Sequence, residues 1–459
     1  MSAPIDRSRP PRPGRVHPFD FPQTLDRSVG GLRLLAAPRR DLPLVGVRFV
    51  TFAGADHDPL SQPGLAGFTG ALLEEGTQRR DATEIARTVE DAGGQLASRA
   101  GWNTTTVSYG GLAETLALGC ELLAEIAIEP GFDPQETERV RSLRLGELRR
   151  RSNEPGYLAS RALARALYGE RTYGSPLLGT AQSLTAARAD DCRRWWTAHR
   201  SRSRSTVIAV GDFDEEQLVA ILERSFADLG KGSSAAAPPG TVDENPEQTV
   251  VHVVDRPNAT QTELCIGQLG LPRDDPQRPA LVLLNAILGG KFTSRINLNL
   301  RERHGFTYGA SSHQLDRLGR GPFVVSAAVD TSAAGPATRE VLFELRRIHA
   351  ELVSTDELEE SRSYLLGILP YTLQTLRGLA GRLDEIALYD LPLDFFDRFP
   401  ERLRSVSADD VLGAARRLIQ PDRLVIAAAG PADQLEPQLA DLGPVTIHRG
   451  PPAAPDGHE

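Results

Sequence analysis

The sequence predicts an α+β protein with two homologous halves, each an antiparallel-rich sheet covered by helices. Strand-like runs of β-branched and aromatic residues alternate with helical patterns, an arrangement typical of sheets covered by helices. In addition, segments of the first half of the chain recur in the second half at a nearly constant offset. Together these two features favour a duplicated domain over a single large sheet.

The repeat is visible in two separate places. TVIAVGDFDEEQL after Ser205 matches LVIAAAGPADQL after Arg423, and aligning Gly211 with Gly430 gives an offset of 219 residues. ETERVRSLRLGEL aligns with ELEESRSYLLGIL at an offset of 221. Solenoid repeats are far shorter, so this length indicates paired domains.

A stretch rich in Gly, Ser, Ala and Pro separates the two halves and predicts an exposed linker. Both ends of the chain are polar and proline-rich, which is typical of disordered segments. The predicted divisions are a disordered tail over 1–15, a domain over 16–230, a linker over 231–246, a second domain over 247–449 and a disordered tail over 450–459.

Within the first half, LPLVGVRFVTFAGA and TTTVSYGGL predict strands bounded by glycine. Between them, Asp81 and Glu84 form a capping-box pattern for a helix that buries Ile85 and Val89 and ends at Gly93. ETLALGCELLAEIAI and the segment after Pro134 predict two further helices. The same order recurs in the second half.

Composition excludes some classes of protein. The 459 residues carry a net charge of −9 without a broad basic stripe, which argues against a nucleic-acid partner. Cys120, Cys192 and Cys265 lie far apart, mostly in apolar runs, so buried thiols are expected rather than disulfides. The chain as written shows no signal peptide and no apolar stretch of about 20 residues, which predicts a cytoplasmic location without a membrane span.

The segment GLAGFTGALLEEGT, from Gly64 to Thr77, has the frame of a metallopeptidase helix without its functional side chains. In an H-x-x-E-H helix two histidines bind zinc and the glutamate acts on the bound water. The corresponding positions here are Gly67, Gly70 and Ala71. This frame resembles that of the insulinase/pitrilysin family of zinc metallopeptidases, with a degenerate metal motif.

Two further segments of the first half support the resemblance. Gly93 and Gly94 look like the family's turn into a strand on the substrate side. Glu147, 76 residues after Ala71, corresponds to the family's third metal ligand, on a later helix. A single ligand cannot hold zinc. On the residues alone, Glu147 is more simply a solvated helix glutamate.

The second half contains LGGKFTSRINLNLRERHGFTYGASS, which resembles the family's Gly-rich substrate loop at Gly289 and Gly290 and the segment that follows it. By that resemblance, Arg301 and Tyr308 are the pair that stabilises substrate and oxyanion. We expect a helix that ends near Arg303, a left-handed cap at Gly305 and a strand that carries Tyr308.

The resemblance implies a division of labour, since some members of this family split their active site between two similar chains. It predicts that this chain is the non-metal-binding subunit of a heterodimeric zinc endopeptidase. The chain itself would bind no cofactor. Its partner would be a homologous subunit with an intact H-x-x-E-H motif and the zinc, and peptide would be the substrate.

Two alternatives of other classes remain. The chain is also compatible with a catalytically inactive scaffold or peptide-binding homologue, as in the core subunits of respiratory complexes that resemble this family. A hydrolase with its own nucleophile has little support, because no G-x-S-x-G elbow is present. A nucleotide-binding loop at Gly290 is excluded, because Phe292 follows Lys291 where Ser or Thr is required.

Overall fold

The computed structural model describes residues 21–231 and 244–449. The disordered tails predicted over 1–15 and 450–459, and all but the ends of the linker predicted over 231–246, lie outside these ranges. Within them the chain forms two six-stranded sheets, both flanked by helices. The prediction of an α+β fold with two similar halves is confirmed.

Each sheet draws its strands from one half of the chain. The strands of the first sheet are β1 Leu25–Val29, β2 Leu32–Pro38, β3 Leu44–Thr51, β4 Gln95–Ala100, β5 Thr105–Leu112 and β6 Ser205–Gly211. Those of the second are β7 Val250–Asp255, β8 Gln261–Leu269, β9 Ala310–Gln314, β10 Pro322–Asp330, β11 Val425–Gly430 and β12 Val445–His448.

The two sheets share one topology. Their strand orders are β1-β2-β6-β3-β5-β4 and β12-β7-β11-β8-β10-β9. Within the first sheet only β2 and β6 run parallel, and in the second only β7 with β11 and β12 with β7 do so. β4 and β9 therefore occupy equivalent edges. The strands at the opposite edges differ in origin, because β1 comes from the start of the first half and β12 from the end of the second half.

Helices cover both faces of each sheet. Those of the first half are α1 Leu65–Leu72, α2 Ala82–Asp91, α3 Leu116–Ile128, α4 Pro134–Arg151, α5 Pro155–Tyr168, α6 Ala181–Ala186, α7 Ala189–His199 and α8 Glu215–Ser225. Those of the second half are α9 Arg278–Asn285, α10 Arg295–Asn297, α11 Ala334–Ala350, α12 Thr355–Thr372, α13 Leu376–Tyr389, α14 Phe395–Ser405, α15 Ala408–Leu418 and α16 Ala432–Leu439. Two π-helical segments, Ala286–Gly290 and Leu298–Arg303, extend α9 and α10.

Two equivalent helices are exchanged between the halves. Helices α4 and α12 begin 221 positions apart, and so do α5 and α13. This is the offset seen in the sequence. α5 packs on the second sheet, where Leu163 and Val425 share a buried cluster. α13 packs on the first sheet, where Leu383 and Ile208 do the same. Each sheet is therefore covered on one face by a helix from the other half.

Local predictions for the first half are confirmed. Asp81 and Glu84 form both hydrogen bonds of a capping box, and α2 buries Ile85 and Val89. Apolar burial stabilises a helix of this length more than its intrinsic propensity does. The three cysteines are free and buried. In the described ranges no helix is both long and apolar enough to cross a membrane.

Candidate functional site

Helix α1 carries the three positions predicted to correspond to the metal motif, and two of them are closely packed. An ideal β-carbon at Gly67 would lie 2.6 Å from Nη2 of Arg144 and 3.1 Å from the carbonyl oxygen of Leu177. One at Gly70 would lie 2.7 Å from the backbone nitrogen of Ala100, in strand β4. Real β-carbons do not approach backbone atoms as closely as 2.7 Å, so a side chain at position 70 requires the backbone to move, whereas one at position 67 requires the Arg144 side chain to move.

Ala71 and Glu147 border the same cavity as Gly67. Glu147 accepts hydrogen bonds from Arg150 at 2.7 and 2.9 Å and from Arg151 at 2.9 Å. These bonds lower the pKa of its carboxyl group to about 2. The structure therefore brings Gly67, Ala71 and Glu147 together, but it directs the only carboxylate among them toward two guanidinium groups.

The residues of this site do not fit a zinc ion. Zinc requires three or four nitrogen, sulfur or oxygen ligands, and here two of the expected ligand positions lack a donor atom. Across residues 21–231 and 244–449, no group of three or more His, Cys, Asp or Glu side chains is arranged to hold a metal. The cation that contacts α1 at Gly67 is instead the guanidinium group of Arg144.

The cavity beside these residues has a volume of about 600 Å³ and lies between the two halves. The first half contributes α1, α4, α5 and the edge strand β4, and the second contributes β9, β10 and the loop between them. Apolar and aromatic side chains form much of its wall, including Trp102, Leu163 and Tyr168. A pocket of this size and character is typical of a binding site for a small ligand or a short peptide segment.

The predicted substrate-stabilising pair lies outside this cavity. The segment Leu298–Arg303 is helical and is followed by Gly305 in the left-handed region, with φ of 66°, as predicted. The expectation that a strand carries Tyr308 was wrong. Strand β9 begins only at Ala310, because the Thr307 hydroxyl donates to the carbonyl oxygen of Ala328 at 2.7 Å and accepts from the backbone nitrogen of Gly309 at 3.1 Å, which holds the chain in a bend.

Arg301 and Tyr308 are both presented to solvent. Tyr308 is 92% exposed, and its hydroxyl makes no hydrogen bond to any described residue. The guanidinium group of Arg301 lies 4.6 Å from the ring centre of Phe292, which is itself 63% exposed. An exposed aromatic ring stacked on an arginine is typical of contact surfaces.

Gly289 and Gly290, in the predicted substrate loop, pack closely against neighbouring residues. A β-carbon at Gly289 would lie 2.5 Å from Oγ of Ser312 in β9, and one at Gly290 would lie 2.6 Å from Nδ2 of Asn285. Both glycines belong to the π-helical segment that ends α9, a type of distortion frequent at functional sites. They allow the helix end to approach the edge strand closely.

Sequence reasoning missed Arg144 and Arg317, which approach the cavity from opposite halves. The signal for Arg144 was present: it precedes Glu147 by three residues, which places both on one face of α4. No comparable local signal marked Arg317, which lies in the loop after β9.

Two similar sheet-and-helix halves with a cavity between them define a two-half α+β fold. The family model for "Insulinase (Peptidase family M16)" matches residues 41–181, and that for "Peptidase M16 inactive domain" matches residues 186–365. The chain belongs to the insulinase family, peptidase family M16.

Relatives of similar size span most of this chain. An uncharacterized zinc protease of Streptomyces coelicolor is 25% identical over 400 residues, covering 85% of this chain and 86% of the relative. The uncharacterized zinc protease YmxG of Bacillus subtilis is 22% identical over 392 residues, covering 85% and 94%.

Solved structures agree with the fold. A peptidase M16 inactive domain from Pseudomonas fluorescens superposes with a TM-score of 0.83 at 26% identity, covering 89% of this chain and 98% of that one. A protease from Helicobacter pylori gives the same TM-score at 16% identity, covering 89% and 100%. At that identity the second comparison supports the fold alone.

Proposed function

We propose that this chain is the non-metal-binding subunit of a heterodimeric zinc endopeptidase and contributes Arg301 and Tyr308 to the active site of a homologous partner. The observation that carries the proposal is a contrast within the chain. The positions that correspond to the first zinc ligand and to the catalytic glutamate, Gly67 and Gly70, are closely packed, whereas Tyr308 is almost fully exposed and its hydroxyl is free to bond.

The proposed role of this pair is electrostatic. A guanidinium group and a phenol hydroxyl both donate hydrogen bonds, and donors fixed around a peptide carbonyl stabilise the negative charge that develops on its oxygen. Stacking on Phe292 restricts the side chain of Arg301, so less freedom is lost when it binds substrate. The zinc-activated water would belong to the partner, which carries the complete motif.

Exposure of Phe292 and Tyr308 supports an interface at this face. The two are 63% and 92% exposed, and Leu298 on the same segment is 41% exposed. Aromatic residues are enriched at the centres of protein interfaces. A surface of this kind suits either a partner chain or a peptide held between two chains.

The test is reconstitution with a homologue from the same cells that carries H-x-x-E-H. The complex should cleave a quenched fluorescent peptide, and Arg301→Ala or Tyr308→Phe should lower kcat by about 10²–10³-fold, as for other oxyanion donors. Zinc content should not change. Arg303→Ala and Tyr371→Phe are matched controls, because both residues are exposed and neither belongs to the proposed pair.

Two outcomes would contradict the proposal. Equal turnover by the Arg301 and Tyr308 variants in an assembled complex would remove their catalytic role. Failure to associate with any H-x-x-E-H homologue, together with recovery in an assembly that cleaves no peptide, would instead favour the scaffold function.

A further inference from the structure

The cavity between the halves has a strongly cationic wall. Five arginines border it, whereas Glu147 is the only carboxylate among the described residues that line it. The arginines come from both halves: Arg99, Arg144, Arg151, Arg161 and Arg317. Arg151 is paired with Glu147 and Glu154, at 2.9 and 3.3 Å, and the remaining excess of positive charge in a partly enclosed space favours an anionic ligand.

Arg144 is the least compensated of these groups. Its Nε atom is buried without a hydrogen-bond partner, and its guanidinium group forms no ion pair with a described residue. The nearby carboxylate of Asp58 instead accepts from the backbone nitrogens of Gly64 and Ala66, at 2.8 and 2.7 Å. A buried donor without a partner costs free energy, and a bound anion would remove that cost.

Arg317 has a similar environment on the opposite wall. Its Nε atom is also buried without a hydrogen-bond partner, although Nη1 donates to the carbonyl oxygen of Asp316 at 2.8 Å. Its guanidinium group lies 5.2 Å from the ring centre of Trp102 and 5.5 Å from that of Tyr173. These rings fix the guanidinium group at the cavity wall.

Apolar groups form the remaining wall. Leu163, Leu167 and Leu178 line the cavity together with several aromatic rings. Unlike Arg144, Arg161 already donates to the carbonyl oxygens of Gly174 and Ser175, at 2.9 and 3.0 Å. The cavity thus combines two under-bonded arginines with a largely apolar surface, which suits an anion attached to an apolar group.

We propose that this cavity binds a peptide through a carboxylate group, with Arg144 as the principal anion contact and Arg317 as the contact from the second half. The edge strand β4 borders the cavity at Ser98, Arg99 and Ala100, next to which an extended peptide would lie. The choice of a peptide rests on the proposed function. The carboxylate site itself does not, because it requires neither the partner chain nor its zinc.

The test uses the isolated chain and measures the fluorescence of Trp102, which lines the cavity. The other two tryptophans, Trp195 and Trp196, are buried in the core of the first half. N-acetyl-Ala-Ala-Leu with a free carboxylate is titrated against the same peptide with a C-terminal amide. We expect the acid to bind at least about tenfold more tightly, a preference that charge-assisted hydrogen bonds to arginine supply. A third, amidated peptide containing one glutamate distinguishes a side-chain carboxylate from a C-terminal one.

The variants separate a specific contact from general charge attraction. Arg144→Gln should reduce the affinity for the acid to about that for the amide, whereas Arg149→Gln should change it less than about twofold. Arg149 is exposed on the same helix and does not border the cavity. Both variants remove one positive charge.

Three results would each overturn the proposal: equal affinities for all three peptides, absence of binding, or loss of the preference for the acid in both variants. If Arg144→Gln does not fold, as judged by its thermal melting, the comparison of acid and amide on the unaltered chain still decides. Because no cleavage is measured, a negative result here leaves the heterodimer proposal intact. A negative result in the reconstitution likewise leaves the carboxylate proposal intact.

Discussion

The guanidinium group of Arg144 lies in the space that a side chain at Gly67 would occupy, 2.6 Å from an ideal β-carbon at that position. A side chain at position 67 and Arg144 in its present position therefore exclude each other. A histidine there would have to displace Arg144, and Arg144 would then lose its place at the cavity wall.

Gly70→Ala should destabilise the protein. The added methyl group would lie 2.7 Å from the backbone nitrogen and 3.1 Å from the β-carbon of Ala100, and overpacking of this kind costs about 1–3 kcal/mol. Gly146→Ala is the matched control, because Gly146 lies within α4 with no atom within 4 Å of its added β-carbon. That substitution should stabilise by up to about 1 kcal/mol. Urea unfolding measures both, and equal stability of the two variants would contradict the packing at Gly70.

Restoring the motif should not restore zinc. The triple variant Gly67→His, Gly70→Glu and Ala71→His should melt at a lower temperature and bind well below stoichiometric zinc, because a side chain at position 70 meets the backbone of Ala100 and a histidine at position 67 competes with Arg144 for space. Ala71→His alone should fold normally, since Ala71 is half-buried and borders the cavity. Circular dichroism and metal analysis of the purified variants are the measurements. Stoichiometric zinc with an unchanged melting temperature would show that the site can reopen.

Arg301→Ala and Tyr308→Phe should leave the stability of the isolated chain within about 0.5 kcal/mol of the original, as usual for exposed positions. The Tyr308 hydroxyl has no hydrogen bond to lose within the described residues, and Arg301 stacks on a ring that is itself exposed. Urea unfolding of each variant checks this. A large loss of stability would mean that the pair has a structural role, and any loss of activity would then need another explanation.

The stability of the chain should depend on the ionisation of Asp58. Burial raises the pKa of this carboxyl group to about 7, even though its oxygens accept from Gly64 and Ala66. In the unfolded chain the group ionises near its ordinary value of 3.8. Between these values the folded state holds more protons, so the contribution of Asp58 to stability is present at low pH and is lost as the pH rises toward 7.

Comparison of the original chain with Asp58→Asn isolates this effect. The free energy of unfolding of the original chain, relative to the variant, should fall by about 2–4 kcal/mol between pH 4.5 and pH 7.5. The comparison cancels His199, whose pKa burial lowers to about 4 and which acts in the opposite direction. Urea unfolding at both pH values gives the difference. A constant difference would mean that Asp58 is ionised throughout in the folded protein.

The general fold was predictable because its signals are local or repeated. The capping box at Asp81 and the cap at Gly305 each require only a short stretch of sequence, and the 221-residue offset emerges when the two halves are compared. The position of Tyr308 was not predictable. Hydrogen bonds of the Thr307 hydroxyl hold the chain in a bend where the pattern indicated a strand. The cationic cavity was also not predictable, since Arg144 and Arg317 border one cavity only through tertiary packing.

The exchange of α5 and α13 limits how this molecule can move. A hinge opening between the two halves would separate a helix from each sheet and expose the buried clusters around Leu163 and Leu383 to water. Exposure of that much apolar surface opposes a hinge within the chain. In the proposed heterodimer, an opening for a large substrate would therefore form between the two chains, and each chain would move as one rigid body.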